Sequence, residues 1–419
     1  MLIEATTQTT DYHVYIMDGN DDLHVGAGVV IRSLLTDAVT TWAGAHTFTV
    51  DGSIIGEDDG INTIGCDPAQ TVIIHAGGSI TSGGDGVITD ADGVILDGVG
   101  STLTNAGTIH SYGSAASVFV RDIGTSTVSN SGMMYGRVAG VWHKFGTGTM
   151  IFNNSGTVES PNQAFLGGMS ADLVTNTGTL RGVVDLAEGN DLLNNRGGTV
   201  TGSIFGGAGN DSFVLSTTKE TIDGGLDFDT LDLTSYTTAV TVDLNLSANN
   251  RGTAVLNDVF TNIEGILGTS VGDILRGDGA DNRLSGNGGT DSLTGGAGAD
   301  TLQGGTGVDT MLGGAGADAF VYLASNAMTD RINDFAHGVD QIQFEGSAFT
   351  YGQATGAVSA ADFVARTSKY ATDATDRFIL RTTDATLWFD ADGTGSKAAI
   401  LVADLQAGSN LTVSDLWLI

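Results

Sequence analysis

A nine-residue repeat limits what this chain can fold into more than any other feature of its sequence. The stretch GGAGADTLQGGTGVDTMLGGAGADAF, residues 295–320, gives nearly the same phrase three times: glycines, one aspartate and one large apolar residue. In the same frame, six contiguous units run from Gly268 to Val321. A repeat of fixed period indicates a solenoid, in which each unit packs mainly against its neighbours.

Two positions of the unit carry its chemistry. The sixth position reads Asp273, Asn282, Asp291, Asp300, Asp309 and Asp318. The eighth position is apolar throughout and reads Leu275, Leu284, Leu293, Leu302, Met311 and Phe320. A looser block over residues 206–232 holds the same frame, with Asp211 and Asp229 at the sixth position and Asp227 in place of a fourth-position glycine.

This pattern predicts a β-roll. Each unit is interpreted as a loop followed by a short strand, so that two units make one coil of 18 residues and the eighth positions fill a narrow core. Units two apart then share an edge, with Asp273, Asp291 and Asp309 on one edge and Asn282, Asp300 and Asp318 on the other. Like charges at a strand spacing of about 4.8 Å need a cation between them, and carboxylate and carbonyl oxygens select Ca²⁺.

The unit resembles the glycine-rich nonapeptide of the RTX family, GGxGxDxUx, which is matched in full at Gly206, Gly295, Gly304 and Gly313. The resemblance implies that the turns bind several Ca²⁺ ions and that the roll folds only when they are bound. Asn282 departs from the pattern and is expected to weaken the site that it shares with Asp300. The alternative is a glycine-rich solenoid without metal. The resemblance implies as calcium-binding residues Gly206, Gly224, Gly295, Gly304, Gly313, Asp211, Asp229, Asp273, Asn282, Asp291, Asp300, Asp309 and Asp318.

One string inside the repeats matches an unrelated motif. GTSVG, residues 268–272, fits the G-x-S-x-G nucleophile elbow, which needs a strand before the serine and a helix after it. The residues that follow continue the nine-residue frame, so no helix is expected there. We therefore do not predict a catalytic role for Ser270.

The N-terminal half carries a second, looser repeat. A phrase with an asparagine two residues before a glycine recurs, and glycines 28, 52, 78, 107, 132, 156, 178 and 198 are spaced by 20 to 29 residues. That spacing is typical of the coils of a parallel β-helix. Asn105, Asn130, Asn154 and Asn176 are predicted to stack as an amide ladder at one corner.

The C-terminal part has fewer glycines and more varied hydrophobic residues. From Asp330 onward it resembles the C-terminal domain that follows RTX rolls in serralysin-type exported proteins, and its apolar tail Leu416–Ile419 resembles a type I secretion signal. The first 22 residues lack the pattern of a signal peptide. The resemblance thus implies export by type I secretion machinery to the outside or surface of a Gram-negative-type cell. An ordinary small β domain is the alternative.

Together these segments predict an all-β chain in three parts. The parts are a parallel β-solenoid over residues 1–200, a calcium-binding parallel β-roll over 201–325 with blocks 206–232 and 268–321, and a small β-rich secretion domain over 326–419. The single cysteine, Cys66, excludes an internal disulfide.

Charge and hydropathy limit the classes of partner that this chain is expected to bind. Acidic residues outnumber basic residues 49 to 16, for a formal net charge of −33. A polyanion repels phosphate backbones, so nucleic acid is not expected as a partner. No apolar run approaches the roughly 18 residues of a membrane-spanning helix, so no transmembrane segment is predicted.

Two functions remain after the motif search. None of the seven histidines lies in HExxH, which excludes a serralysin-like zinc protease. The first hypothesis is an enzyme acting on extracellular polysaccharide, such as a lyase, epimerase or glycosidase. Its candidate acidic groups lie in GEDDG (residues 56–60) and GGDGVITDADG (residues 83–93). Few basic residues are available to hold an anionic substrate there: Arg32, Arg121, Arg137, Lys144 and Arg181.

The second hypothesis is a structural or adhesive protein, and it is the one we favour. A solenoid has open sheet ends and is liable to stack on further copies unless they are capped, so calcium-dependent self-association into a surface layer, fibre or biofilm matrix is expected. Cell-surface polysaccharide is a further candidate partner. The candidate contact residues are Trp42, Tyr135, Trp142, His143 and Phe145.

Overall fold

The structure is a computed structural model that describes most of the chain. The described residues are 2–11, 14–17, 21–65, 68–83, 91–113, 115–121, 124–143, 147–255, 257–323, 329–345, 349 and 355–419. They form two compact units, one of Met1–Asp229 with Val259–Asn262 and one of Thr230–Asp258 with Ile263–Ile419. The three predicted domains, 1–200, 201–325 and 326–419, stay a prediction.

Regular structure in both units is almost entirely β, which confirms the predicted fold class. Among the described residues the helices are two 3₁₀ turns, Ser247–Asn249 and Val413–Asp415. No helix of the described residues has the length and apolarity that a membrane span needs.

The N-terminal unit is a parallel solenoid with three faces. Each strand of the first face pairs in parallel with the equivalent strand of the next coil. The strands of the first face are Leu2–Glu4, Asp22–Val25, Thr47–Val50, Thr71–Ile74, Thr102–Asn105, Ser126–Asn130, Met150–Asn154, Leu173–Asn176, Leu192–Asn194 and Ser212–Val214.

The second and third faces complete each coil. The second face consists of Gln8–Thr10, Val30–Ser33, Ser53–Gly56, Ser79–Ser82, Thr108–Ser111, Met133–Tyr135 and Thr199–Val200. The third consists of Tyr15–Met17, Val39–Thr41, Ile61–Asn62, Val94–Asp97, Ala116–Arg121, Ala139–His143, Ile204–Ala208, Thr221–Leu226 and Val259–Thr261. Thr157–Leu166 and Thr179–Asp185 run through both faces.

Alternation along the strands produces the core of this unit. On the first face every second residue points inward, because side chains of a β-strand alternate between its two faces. The inward residues form one continuous apolar stack, each at most 1% exposed: Leu23, Phe48, Val72, Leu103, Val128, Phe152, Val174, Leu193 and Phe213.

An asparagine ladder holds one corner of the coils, as the sequence predicts. The Nδ2 group of Asn105 donates to Oδ1 of Asn130 at 2.8 Å, and the same bond repeats from Asn130 to Asn154 and from Asn154 to Asn176. Consecutive members are 25, 24 and 22 residues apart, which confirms the predicted coil length. The ladder continues to Asn195, which donates to buried Glu220.

The second unit contains the six contiguous repeats in two sheets, which are parallel through the repeats and include antiparallel pairs among the C-terminal strands. One sheet has the strands Thr230–Asp232, Gly265–Leu267, Arg283–Ser285, Thr301–Gln303, Ala319–Tyr322, Gln341–Phe344, Gly356–Ala357 and Leu416–Leu418. The other has Thr241–Asp243, Ile274–Arg276, Ser292–Ala297, Thr310–Ala315, Asp330–Ile332, Phe363–Arg366, Phe378–Arg381, Thr386–Phe389 and Ile400–Leu405. A two-stranded pair joins Gly288–Gly289 to Thr306–Gly307.

Strand register confirms the β-roll. Leu275 pairs with Leu293 and Leu293 with Met311 in one sheet, while Leu284 pairs with Leu302 in the other. All six eighth-position side chains are fully buried. The C-terminal strands extend both sheets, since Thr310–Ala315 pairs with Asp330–Ile332 and Ala319–Tyr322 pairs with Gln341–Phe344.

Candidate calcium-binding turns

The sixth-position side chains of both blocks lie inside the turns. Each is at most 2% exposed, although seven of the eight are carboxylates: Asp211, Asp229, Asp273, Asn282, Asp291, Asp300, Asp309 and Asp318. Burial of a carboxylate is unfavourable unless hydrogen bonds or a cation compensate for the lost hydration. The neighbours of these oxygens therefore decide what the turns can bind.

One oxygen of each carboxylate is used to stack the coils. The backbone N–H of Asp273 donates to Oδ1 of Asp291 at 2.7 Å, and that of Asp291 donates to Oδ1 of Asp309 at 2.8 Å. On the other edge the bonds run from Asn282 to Asp300 and from Asp300 to Asp318, at 2.8 and 2.9 Å. Partners are 18 residues apart, so the two predicted edges are confirmed.

The first block repeats this arrangement within the N-terminal unit. The backbone N–H of Asp211 donates to Oδ1 of Asp229 at 2.8 Å, again across 18 residues. Asp227, at the fourth position where the units that match the pattern in full have glycine, has a φ of 77°. The left-handed conformation of the turn is thus kept although a side chain is present, and aspartate tolerates that region better than most residues.

The second oxygen has no protein donor in four of these turns. Oδ2 of Asp211, Asp291, Asp300 and Asp318 is buried and, within the described part of the chain, accepts no hydrogen bond. An ionised oxygen in that position is an incomplete site, because an unsatisfied buried acceptor is costly. A cation bound there would remove that cost.

The first glycine of each unit brings backbone against this oxygen. An added Cβ on Gly295 would lie 2.6 Å from the carbonyl oxygen of Gly313 and closer still to Oδ2 of Asp300. The same Cβ position falls against Oδ2 of the sixth-position aspartate at Gly206, Gly224, Gly304 and Gly313. The site is therefore formed by a carboxylate oxygen surrounded by turn backbone.

Burial raises the pKa of the same carboxyls. Desolvation raises the pKa of Asp291 to about 7 and those of Asp211 and Asp300 to about 6. It also raises the pKa values of Asp309 and Asp318. The fold thus disfavours the ionised carboxylates in the absence of a positive charge.

Two sixth-position residues differ from the others. Oδ2 of Asp273 accepts the backbone N–H of Thr269 at 2.7 Å, and its Oδ1 accepts that of Val240 at 2.8 Å. Protein donors therefore already engage both oxygens of Asp273. Oδ1 of Asn282 accepts the backbone N–H of Asp278 at 2.8 Å, and its uncharged amide offers less to a cation than a carboxylate does.

Downstream of the repeats, three aspartates that the sequence did not single out close the last turns. Oδ1 of Asp330 accepts the N–H of Asp309 at 2.9 Å, and Oδ1 of Asp340 accepts that of Asp318 at 3.1 Å. Asp334 accepts the N–H groups of Gly313 and Gly314 at 3.0 and 2.8 Å. Their separations of 20 to 22 residues fall outside the nine-residue frame, which is why the frame missed them.

These features fit calcium. Ca²⁺ prefers six to eight oxygen ligands from carboxylates, backbone carbonyls and water, and it adapts to irregular geometry. In the matched repeats, Asp211, Asp291, Asp300, Asp309 and Asp318, with the surrounding turn carbonyls, would hold the ions. A bound ion would supply the positive charge that lets these carboxyls ionise while buried.

We expect calcium affinity to fall as the pH is lowered from 7.5 to 5.5. The raised pKa values mean that the folded, metal-free turns keep protons that the unfolded chain loses above about pH 4, so calcium must displace them. Protonation at pKa values of about 6 and 7 predicts, at pH 5.5, a roughly fourfold weaker apparent affinity at the turn of Asp300 and a roughly 25-fold weaker one at the turn of Asp291. Calcium titration at both pH values measures this, and equal affinities would contradict it.

The raised pKa values also determine how the stability of the metal-free fold changes with pH. A raised folded-state pKa stabilises the fold fully below the unfolded value, and this contribution is lost as the pH rises through the folded value. Chelated protein should therefore recover strand content in circular dichroism on acidification from pH 7.5 to 5.5.

The acidic stretch at residues 56–60 forms a separate cluster. One carboxylate oxygen from each of Asp37, Asp58 and Asp59 lies within 4.8 Å of the others. Burial, followed by the charge of Asp37, raises the pKa of Asp59 to about 9. Oδ1 of Asp59 accepts the N–H of Asp92 at 2.8 Å, and Oδ1 of Asp37 accepts that of Asp59 at 3.1 Å. These bonds join neighbouring coils.

The other candidates from the sequence are only partly placed. Residues 84–90 of the second acidic stretch, together with Lys144 and Phe145, lie outside the described residues. Trp42 is 61% exposed, in keeping with a contact role. His143 is fully buried, so its prediction as an exposed contact residue is wrong: its Nδ1 lies 2.9 Å from Oδ1 of Asp172.

Comparison with known families supports the assignment of the repeats. The RTX calcium-binding nonapeptide repeat (4 copies) matches residues 196–231, 267–302 and 285–320. No curated protein matches the chain. Among solved structures, the solution structure of the AlgE6R3 subunit from the Azotobacter vinelandii mannuronan C5-epimerase is 25% identical. The match covers 36% of this chain and 80% of that chain, with a TM-score of 0.25. Residues 196–231 and 267–320 therefore carry RTX calcium-binding nonapeptide repeats, whose turns contain buried carboxylates and closely approached glycines.

Proposed function

We propose that this chain is a secreted RTX solenoid that acts as an extracellular structural or adhesive protein. In this proposal it self-assembles in a calcium-dependent way into a surface layer, a fibre or a biofilm matrix. The observation that carries the proposal is the outer surface of the first face, which presents regular rows of small polar side chains.

The rows follow from the strand register. Thr47 pairs with Thr71, Thr71 with Thr102, and Thr102 with Thr127, so four threonines stand in line on consecutive strands. A second row pairs Thr104 with Ser129, Ser129 with Asn153 and Asn153 with Thr175. These side chains are partly or fully exposed. Repeating hydroxyl and amide groups at the strand spacing suit contact with a second regular surface.

Charge supports the dependence on calcium. With a net charge of −33, copies of this chain repel one another at neutral pH. Calcium would lower that repulsion while it orders the turns. Both effects favour association in the same calcium range.

The acidic clusters support a structural role more than a catalytic one. Asp37 and Asp59 are buried, and both use carboxylate oxygens to hold backbone N–H groups of their own corner. The basic residue Arg32 is directed at Glu57 of the same stretch, with Nη2 3.7 Å from Oε1. A polysaccharide-acting enzyme with its active site in the solenoid stays the alternative.

Export is proposed to follow the type I route. Calcium-dependent repeats suit that route, since repeats without bound ions stay unfolded at low calcium and fold where calcium is abundant. The turns would then act as a switch for folding outside the cell, with the type I secretion machinery as a transient partner. Cell-surface polysaccharide is a further proposed partner of the assembled protein.

Electron microscopy of the purified protein with and without Ca²⁺ tests the proposal. Ordered assemblies are expected with calcium and should disappear on chelation. Thr104→Glu places a charge in an exposed position of the second row and should abolish assembly without unfolding the chain. The matched control, Thr125→Glu, adds the same charge in an exposed turn and should still assemble. A wild-type protein that remains monomeric with calcium would contradict the proposal.

A further inference from the structure

The turn of residues 186–191, upstream of the matched repeats, has the conformation of the candidate calcium-binding turns although its sequence lacks their glycine pair. Leu192 pairs with Ser212 and Leu193 with Phe213, which aligns LAEGND (186–191) with GGAGND (206–211). Asp191 thereby occupies the sixth position of the unit. Leucine and alanine replace the first two glycines, and the matched family segment begins only at residue 196.

The backbone of this turn keeps the repeat conformation. Ala187 has a φ of 75° and Gly189 a φ of 130°, while the equivalent Gly207 and Gly209 have 112° and 120°. A left-handed alanine is uncommon and costs about 1–2 kcal/mol, so the neighbouring coil must impose it.

Hydrogen bonds across the two turns show how that is done. The N–H of Ala208 donates to the carbonyl oxygen of Ala187 at 2.7 Å, and the N–H of Gly189 donates to that of Ala208 at 2.8 Å. Glu188 and Ala208 form a parallel bridge. The same pattern links Asp278 to Ala297 and Ala315 to Gly298 in the second unit.

The carboxylate of Asp191 takes part in the same backbone hydrogen bonds as that of Asp211. It is 2% exposed, and its Oδ1 accepts the N–H of Asp172 at 2.6 Å. Its own N–H donates to Oδ1 of Asp211 at 2.8 Å. Oδ2 is buried and, among the described residues, accepts no hydrogen bond.

Asp172, one coil further upstream, marks where this environment ends. Its Oδ1 accepts the N–H of Met150 at 3.1 Å, and its Oδ2 accepts that of Gly168 at 3.2 Å. Nδ1 of buried His143 lies 2.9 Å from the same Oδ1. Asp172 therefore has donors for both oxygens, whereas Asp191 has one oxygen left for a ligand.

We infer that the turn 186–191 binds a calcium ion together with the turn 206–211, with Oδ2 of Asp191 as a ligand. The inference rests on calcium binding by the repeats and is independent of the proposed assembly. It extends the calcium-binding region by one turn beyond the recognisable repeats, to a unit without the glycine pair.

Asp191→Asn tests this site with little change to the fold. The amide keeps an Oδ1 acceptor for the N–H of Asp172 and removes the charged oxygen. Asn282 already occupies an equivalent position in the second unit. Equilibrium dialysis against CaCl₂ with metal analysis is expected to find one ion fewer per chain than in wild type.

Asp223→Asn is the matched control. Asp223 is a half-buried carboxylate of the same unit that accepts a hydrogen bond from Asn262 at 2.7 Å, and its loss should leave the ion count unchanged. An unchanged count in Asp191→Asn would overturn the inference.

Crystals of the wild-type chain grown with CaCl₂ give a second test that does not depend on a variant. An anomalous calcium peak beside Oδ2 of Asp191 is expected. Peaks at the turns of Asp291 and Asp300 without one at Asp191 would also overturn the inference. Neither result depends on whether the protein assembles, so this site and the proposed function can fail separately.

Discussion

Gly295→Ala is expected to destabilise the calcium-bound repeats by at least about 2 kcal/mol, the middle of the range for overpacking a tight site. The added methyl group would lie 2.6 Å from the carbonyl oxygen of Gly313 and would displace Oδ2 of Asp300. The variant thus strains the backbone and removes a proposed calcium ligand at once. Thermal unfolding and calcium titration of the same sample measure both effects.

Gly279→Ala is the control for this variant. Gly279 lies in the same block, yet an added Cβ there would have no atom within 4 Å. Its stability should change by no more than about 0.5 kcal/mol, as for other surface substitutions. Equal losses in the two variants would show that close approach to the carboxylate is not what the first glycine provides.

Removing calcium is expected to have the largest effect of all. Without the ions, residues 206–321 would have to bury several carboxylates whose Oδ2 atoms have no protein donor. We expect that region to unfold at pH 7.5 on addition of a chelator, with a large loss of strand signal in circular dichroism. The signal should return when calcium is restored in excess.

The asparagine coils are the internal control for chelation. Their corner is held by neutral amides, from Asn105 to Asn195, and their core is a continuous apolar stack. Nothing in that arrangement needs a cation. Part of the strand signal should therefore survive chelation, and a circular dichroism spectrum that does not change at all would contradict the metal assignment.

Much of the fold could be predicted because it is built from repeats that are recognisable in the sequence. A fixed nine-residue period forces the eighth positions to one side, and all six of those residues are buried. The asparagine ladder was predictable for a similar reason, since an amide can both donate and accept along a stack. Both inferences depend only on the period of the repeat. That period can be recognised in the sequence without knowing which distant residues are in contact.

The features that could not be predicted lie where the chain departs from its repeats. Asp330, Asp334 and Asp340 close the roll through loops whose lengths differ from the repeat. Asp191 was not predicted, because its turn lacks the glycine pair and is imposed by the neighbouring coil. His143 was expected at the surface but is fully buried, with its Nδ1 2.9 Å from Oδ1 of Asp172.

The sequence also did not show that the sixth-position aspartates differ in how many of their oxygens accept hydrogen bonds from the protein. From sequence, Asp273 and Asp291 are equivalent sixth-position residues. In the structure Thr269 and Val240 engage the oxygens of Asp273, while Oδ2 of Asp291 remains for a ligand. The difference arises because Thr269, in the same unit as Asp273, donates its backbone N–H to Oδ2 of Asp273.

Hydrogen–deuterium exchange with and without calcium tests the central claim most directly, since it reports on each turn of the intact chain. The account predicts that peptides covering residues 292–318 are strongly protected with calcium and exchange rapidly after chelation. Peptides covering residues 126–176 should be protected in both conditions. Equal protection of residues 292–318 with and without calcium would show that the buried carboxylates do not need the ion, and would contradict the account.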